Sequence, residues 1–243
     1  MSIAEKLQTI AENEQKVFDA GKKAEYDAFW DSLQKKGEEF IDYGYMFSCR
    51  EIWTQENIEK VKYKTLKASY VSVMFSNNSA VTDLSAFSII TSRDRTNDVY
   101  KPTWSSTFYG CSNLVKSPLI HLGEIGSAPN MFGYCASLEE LQTFYDATFA
   151  RGYLTNSLDL HWSAKLNKKS IVGVIEGASP EQAGQTLTFS LEAVKKAFET
   201  SEGALDGNTS SQWLTLIAAK PNWSIALIDK NGNKYTYDND YIE

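Results

Sequence analysis

Histidine and cysteine are scarce in this 243-residue chain, and acidic residues outnumber basic ones. The two histidines, His121 and His161, lack the His-x-x-x-His spacing of a zinc site, and the chain contains no Cys-x-x-Cys pair. Three cysteines cannot form a closed set of disulfides, so we predict that they are reduced core residues. The net charge of −7 argues against nucleic-acid binding, which needs a basic surface.

Long apolar runs and catalytic motifs are also missing. No stretch approaches the roughly 20 apolar residues of a membrane span, and the N-terminus has no basic start followed by an apolar run, so neither membrane insertion nor a secretion signal is expected. No nucleophile elbow, phosphate loop or dinucleotide fingerprint occurs. We therefore predict no catalytic residue, no cofactor, no metal and no enzyme activity. The carboxylate pairs that are close in sequence are expected to be solvated: Asp94 and Asp98, Glu139 and Glu140, Asp238 and Asp240.

Aromatic residues are abundant, at 13% of the chain, and many of them belong to a repeated motif. The motif is an aromatic residue, two spacers, Cys or Asn, two spacers and an aliphatic residue. Its copies are residues 75–81, 108–114 and 132–138, with a shorter copy at 47–52, and their phenylalanines are 28, 33 and 24 residues apart. This pattern predicts an irregular leucine-rich solenoid in which Phe stacks on Phe. The Cys/Asn position suits a small side chain in a tight bend. Chance alignment is the alternative, which the fixed offsets disfavour.

The first 36 residues carry a heptad pattern, in which seam residues alternate in steps of four and three. Two structures fit: a coiled coil between identical chains, or an amphipathic helix packed on its own domain. The narrow apolar stripe favours the coiled coil, and aliphatic residues on both seam positions favour a homotrimer. The predicted oligomerisation residues are Ile3, Leu7, Ile10 and Val17.

We divide the chain into an N-terminal helix (1–36), a leucine-rich-repeat solenoid (37–165) and a C-terminal cap (166–243). The predicted fold is thus an α/β repeat: an α-helical coiled coil, a short irregular solenoid and a mixed α/β cap. Inner strands of the repeats are predicted at 70–74, 87–90, 119–122 and 158–162. In the cap, helices are predicted at 167–175 (with Asn167 or Ser163 as its cap), 190–198 and 211–219, and strands at 186–189, 223–228 and 234–237. A type I′ turn at Asn231-Gly232 is predicted to join the last two strands.

The sequence also resembles a known group of proteins. Asn-Met-Phe-Gly-Tyr-Cys-Ala-Ser-Leu at 130–138 and Thr-Phe-Tyr-Gly-Cys-Ser-Asn-Leu at 107–114 resemble the cores of irregular bacterial-surface-type leucine-rich repeats. Residues 10–30, 185–198 and 220–225 are similar to the leader and the closing segment of repeat proteins from gut Firmicutes and their phages and prophages. The resemblance implies a tail-fibre or tail-tip protein, or an adhesin-like binding protein, and it implies no catalytic residues.

From this resemblance we expect a phage virion structural protein, assembled in the cytoplasm of the host bacterium. The N-terminal helix would attach it to other virion or baseplate proteins, and the repeat domain would bind a host cell-surface receptor. The alternatives are a bacterial surface adhesin of the same fold, a cytosolic protein-interaction module, and an enzyme acting on a surface glycan. Receptor binding would use exposed aromatic residues on one face, for which the candidates are Tyr100, Trp104, Tyr109, Tyr134 and Tyr145.

Overall fold

The computed structural model describes residues 41–44, 47–48, 53–61, 64–91, 101–148, 152–198 and 211–237, together with residues 13, 20, 21 and 24. Those four single residues are helical and exposed. They fall within the segment in which the heptad pattern predicts a helix. The predicted oligomerisation residues Ile3, Leu7, Ile10 and Val17 lie outside the described residues, so the coiled coil stays a prediction.

Five short strands form a parallel sheet whose order follows the chain. They are β1 (Ile41–Asp42), β2 (Thr65–Tyr70), β3 (Ser88–Ile90), β4 (Leu119–His121) and β5 (Thr143–Phe144). Leu66, Ile89 and Ile120 pair in one row across β2, β3 and β4, and each is at most 2% exposed. Because parallel neighbours need a crossover between them, each copy of the motif lies in the connection between two successive strands.

The four motif phenylalanines stack in a column beside this sheet. Phe47 and Phe75 have ring centroids 4.6 Å apart, Phe75 and Phe108 5.5 Å, and Phe108 and Phe132 5.0 Å, with planes within 12° of parallel. All four rings are buried. The predicted stacking of phenylalanine on phenylalanine is therefore confirmed, and it gives the region a continuous core of offset aromatic pairs.

The small residue of each motif ties its copy to the preceding one. Asn78 Nδ2 donates to Phe47 O at 3.0 Å, Cys111 Sγ to Phe75 O at 3.1 Å, and Cys135 Sγ to Phe108 O at 3.0 Å. Both cysteines are buried and reduced, as predicted, whereas Cys49 lies outside the described residues. Burial raises the pKa of the Cys135 thiol, which keeps it protonated and able to donate. Asn and Cys are thus interchangeable here as small buried donors.

Backbone hydrogen bonds repeat the same register from copy to copy. The backbone amides of Phe47, Phe75 and Phe108 donate hydrogen bonds of 2.8–2.9 Å. In each case the acceptor is the carbonyl oxygen of the residue just before the next motif phenylalanine. Just after the motifs, the backbone of Lys116 forms parallel β-bridges with Asp83 of the preceding copy and with Glu140 of the following copy. Each connection therefore uses the next one as its hydrogen-bond partner, as a strand in a sheet does.

The first predicted inner strand is misplaced. It was expected at 70–74, but β2 ends at Tyr70 and the chain then turns, with Val73 at φ +61°. A left-handed residue cannot continue a strand. The amides of Val73 and Phe75 instead donate to Ser105 O and Thr107 O of the next connection.

A second, four-stranded sheet forms the C-terminal part of the described chain. Its strands are β6 (Leu158–Leu160), β7 (Gln185–Ser190), β8 (Trp223–Ile228) and β9 (Lys234–Tyr237), of which only β9 is antiparallel to its neighbour. Residues 158–162 were expected to be the last inner strand of the repeats. That expectation is wrong, because β6 pairs with β7 and its two leucines join the buried Leu187 and Phe189. The second sheet therefore starts before residue 165.

Four α-helices have described bounds, besides a 3₁₀ helix at Leu122–Glu124: α1 (Gln55–Glu59), α2 (Lys168–Glu176), α3 (Leu191–Phe198) and α4 (Ser211–Ala218). The last three agree with the helices predicted in the cap. Asn167 Oδ1 accepts from Ser170 N at 2.9 Å, which identifies Asn167 as the cap of α2.

Ser163, the other candidate cap, belongs to a further copy of the motif. Its amide donates to Leu160 O and its carbonyl accepts from Leu166 N, as Cys135 does with Phe132 and Leu138. This copy is not evident from the sequence pattern, because Leu160 stands where the other copies have phenylalanine.

The hairpin between β8 and β9 forms as predicted, but its turn is not type I′. Gly232 has φ +85°, whereas Asn231 is not left-handed, and type I′ requires both. Asp229 closes the loop instead. Its carboxylate accepts from the amides of Asn231 and Asn233 at 2.9 and 2.8 Å, and from Asn233 Nδ2 at 2.8 Å.

Candidate functional site

Four rings meet at the surface between the third motif copy and the end of β6, and we call them the aromatic patch: Tyr109, Tyr134, His161 and Trp162. The centroids of Tyr134 and Trp162 are 4.1 Å apart, and Tyr109 meets Tyr134 edge-on at 5.2 Å. Tyr134 is nevertheless 48% exposed and Trp162 38% exposed. Large rings that remain exposed while clustered are a common property of binding surfaces.

Tyr134 occupies a position with an unusual backbone. It lies two residues after Phe132, and its equivalents in the two preceding copies are Asn77 and Gly110. All three have left-handed φ values, of 59°, 56° and 71° respectively. Glycine and asparagine adopt this conformation most readily, whereas other L-residues lose about 1–2 kcal/mol in it. The tyrosine ring is therefore presented outward from a position that locally favours a smaller residue.

Gly133 makes room for the neighbouring ring. A Cβ atom built on Gly133 would lie 2.8 Å from Tyr109 Cδ2. Any larger residue would push the Tyr109 ring away from the third copy, and with it the edge-on contact to Tyr134. The arrangement of the patch thus depends on a glycine between its two tyrosines.

Asp159 on β6 fixes the histidine of the patch. Its Oδ1 accepts from the backbone amide of His161 at 3.0 Å and lies 2.6 Å from His161 Nδ1. A carboxylate at Nδ1 fixes the tautomer, so the proton is on Nδ1 and Nε2 is the acceptor when the ring is neutral. The imidazole is held 4.6 Å from the Trp162 ring. Asp159 itself remains at the surface, with 44% of its side chain exposed.

A groove of about 440 Å³ adjoins the patch at Asp159, and we call it the polar groove. It lies between the segment 127–130 and the strands β6 and β7. Gln185 Oε1 orders one wall by accepting from both the amide and the hydroxyl of Ser157 at 2.9 Å. None of the described residues that line the groove is a lysine or an arginine. The polar side chains that line it include Asn130, Asn156, Ser157, Asp159, Gln185 and Thr188.

The predicted binding residues are distributed over different environments. Tyr109 and Tyr134 are both in the aromatic patch. Tyr145 is half-buried against Tyr153, at 5.6 Å. Trp104 is completely buried, so its assignment to an exposed face is wrong and it is a core residue. Tyr100 lies outside the described residues.

Asp159, His161 and Trp162 are not among the binding residues predicted from the sequence, where residues 158–162 are expected only to form a strand. The signal that was available is the further motif copy at 160–166, which follows β6 directly. Its register places Trp162 two residues after Leu160, as Tyr134 is placed after Phe132. Recognising Leu160 as the first residue of a copy would have put both rings on the same side.

No metal centre is found among the described residues, where no three His, Cys, Asp or Glu side chains lie close enough to hold an ion. Glu139 is exposed and Glu140 is half-buried within the first sheet region. The pairs Asp94–Asp98 and Asp238–Asp240 lie outside the described residues. Within the described part of the chain, no helix combines the length and the apolar character needed to cross a membrane.

No protein-family model matches this chain, and no curated protein or solved structure matches it either.

Proposed function

We propose that this chain is a phage virion protein, a tail-fibre or tail-tip component that binds a receptor on the host cell surface. Its residues 37–165 form an irregular leucine-rich-repeat domain that presents the binding surface. Residues 1–36 form a homotrimeric coiled coil that joins it to other virion or baseplate proteins. The resemblance of the motifs and of both ends to repeat proteins of gut Firmicutes phages supports this assignment.

The aromatic patch is the observation that carries the binding role. Tyr134 and Trp162 are large rings that remain 48% and 38% exposed. Their exposure costs free energy in the unbound protein, and a partner that covers them recovers it. The neighbouring polar groove supplies hydrogen-bonding groups of the kind that orient a ligand.

The repeating register supports the domain assignment. Four stacked phenylalanines, a small buried donor in the three copies where it is described and a parallel strand between successive copies form a rigid scaffold. Rigid scaffolds of stacked repeats hold surface rings in fixed relative positions, which lowers the entropy lost on binding.

Adsorption to cells tests the binding role. The full chain, labelled with a fluorophore, is mixed with a panel of gut Firmicutes strains, and the fluorescence retained by washed cells is measured. We expect retention by some strains and at least a tenfold loss when Tyr134→Asn is combined with Trp162→Ala. Phe144→Ala is the matched control, since Phe144 is 41% exposed but lies on β5 outside the patch. Equal losses in both variants would contradict the assignment.

Light scattering of the full chain tests the oligomerisation. A homotrimer is expected, and replacing Leu7 and Ile10 with aspartate should give monomers, because charged residues disrupt an apolar seam. A monomeric wild-type protein would contradict the proposed coiled coil.

A further inference from the structure

Three properties of the site define its ligand: the conformation of Tyr134, the shape of the ring surface and the charge of the groove. The inference that follows rests on the proposed binding function and names the class of ligand.

The conformation of Tyr134 separates this copy from the others. In the same left-handed position the chain uses Asn77 and Gly110, which have little or no side chain to offer an aromatic contact. A tyrosine there is only about half buried, because 48% of it is in contact with solvent. Stacking on Trp162 orients the ring without covering it. The position therefore presents an aromatic face, where the fold alone favours a smaller residue.

The two rings pack against each other and expose part of each ring. Tyr134 and Trp162 are tilted by 32° with centroids only 4.1 Å apart, and the Asp159-bound imidazole lies 4.6 Å from Trp162, so the rings form a short stack. The exposed side of this stack, which includes 48% of Tyr134 and 38% of Trp162, accepts a ligand that has an apolar face of C–H groups.

The polar groove adds hydrogen-bonding groups beside the rings. Asp159 connects the groove to the patch, since it lines the groove and holds His161. Besides that one carboxylate and the apolar Ala128, Pro129 and Leu158, the described lining offers amides and hydroxyls, among them Asn130, Gln185 and Thr188. Amides and hydroxyls both donate and accept. A carboxylate without a neighbouring lysine or arginine repels anions, so a phosphate-rich or uronic-acid-rich ligand is disfavoured.

We propose that this site binds a neutral carbohydrate of the cell surface. One pyranose ring would lie with its C–H face against the exposed side of the Tyr134–Trp162 stack, and its hydroxyl groups and those of the next residue would bond with Asp159 and the groove amides. A pyranose combines an apolar face with a rim of hydroxyl groups, which is the combination that the patch and the groove present side by side. An apolar peptide would leave the groove amides unpaired, which costs affinity.

Binding of the labelled full chain to immobilised polysaccharides tests this directly. The probes are purified neutral and anionic bacterial cell-wall polysaccharides, and affinities for the retained ones are measured by titration calorimetry. We expect retention on neutral probes and a loss of at least tenfold in affinity for Tyr134→Asn and for Trp162→Ala. Asparagine is chosen because Asn77 shows that it fits this backbone conformation. Phe144→Ala should bind as the wild type does, and circular dichroism checks that every variant is folded.

Two results would overturn the inference: no retention on any neutral polysaccharide, or neutral binding that both patch variants leave unchanged. Cell adsorption separates this failure from failure of the receptor-binding function. Adsorption that survives periodate treatment of the cells but not protease treatment leaves a receptor function and removes the carbohydrate ligand. Binding to a neutral polysaccharide, without adsorption to any cell, keeps the ligand class and removes the receptor function.

Discussion

Truncating Phe108 to alanine should be among the most destabilising single changes in the described part of the chain. The ring is fully buried, and it is stacked on both sides, 5.5 Å from Phe75 and 5.0 Å from Phe132. Buried Phe→Ala substitutions cost about 3–5 kcal/mol, and each lost ring pair adds to the upper end of that range. We therefore expect a loss of about 4–5 kcal/mol in the free energy of unfolding.

Denaturant unfolding followed by circular dichroism measures this loss, with linear extrapolation to water. In a chain of this size, each kcal/mol lowers Tm by about 2–4 °C, so a decrease of about 8–20 °C is expected. Phe144→Ala is the control, and at 41% exposure it should cost about 1 kcal/mol or less. If Phe108→Ala and Phe144→Ala differ by less than about 1 kcal/mol, the column of rings is not the core that we describe.

A double-mutant cycle sharpens the same argument. Phe75 and Phe108 are adjacent in the column, so their substitutions should be non-additive by about 0.5–1.5 kcal/mol. Phe47 and Phe132 have two rings between them, and their substitutions should add. Equal coupling in both pairs would contradict a stack of nearest neighbours.

Three further changes follow from buried or hydrogen-bonded groups. The indole Nε1 of Trp104 is buried without a partner among the described residues, so Trp104→Phe should stay within about 1 kcal/mol of wild type, whereas Trp104→Ala should lose about 3–5 kcal/mol in denaturant unfolding. Peptide mass spectrometry after iodoacetamide treatment should find Cys135 unmodified in the native protein and modified in denaturant, because burial raises the pKa of its thiol and blocks access to it. Modification of Cys135 in the native protein would contradict its burial in the motif. The side-chain hydrogen bond from Asn233 lowers the pKa of Asp229. Wild type should therefore exceed Asp229→Asn in free energy of unfolding by the full amount at pH 7, and this difference should shrink as the pH falls below about 4. A difference that does not change with pH would refute the role of the carboxylate.

The motif copies could be predicted from sequence because their geometry is local. The spacing of three residues between Phe108, Cys111 and Leu114 is the spacing of two successive turns, each closed by a backbone bond of 3.1 Å. Local turns of this kind depend on few residues, so a spacing that is repeated in the sequence produces the same local structure in each copy. The helices near the C-terminus were predictable for the same reason, since Asn167 caps α2 through its own side chain.

The pairing of β6 could not be predicted in this way. Leu158 and Leu160 alternate with polar residues, a pattern that fits the end of the first sheet as well as the edge of the second. The choice is made by Leu187 and Phe189, which are nearly 30 residues away and pair with them in register. Alternation gives the face that a strand buries, but it carries no information about which strand is its neighbour.

In the candidate site, the position of an aromatic residue within the repeat determines whether its ring is buried or exposed. Trp104 and Tyr134 are both aromatic residues near a motif phenylalanine, and composition alone treats them alike. Trp104 lies four residues before Phe108, a position that is also buried in the copies that contain Val71 and Ala128. Tyr134 lies two residues after Phe132, where the left-handed backbone turns the side chain outward. Position within the repeat, rather than residue type, therefore decides which rings support the fold and which remain available to a ligand.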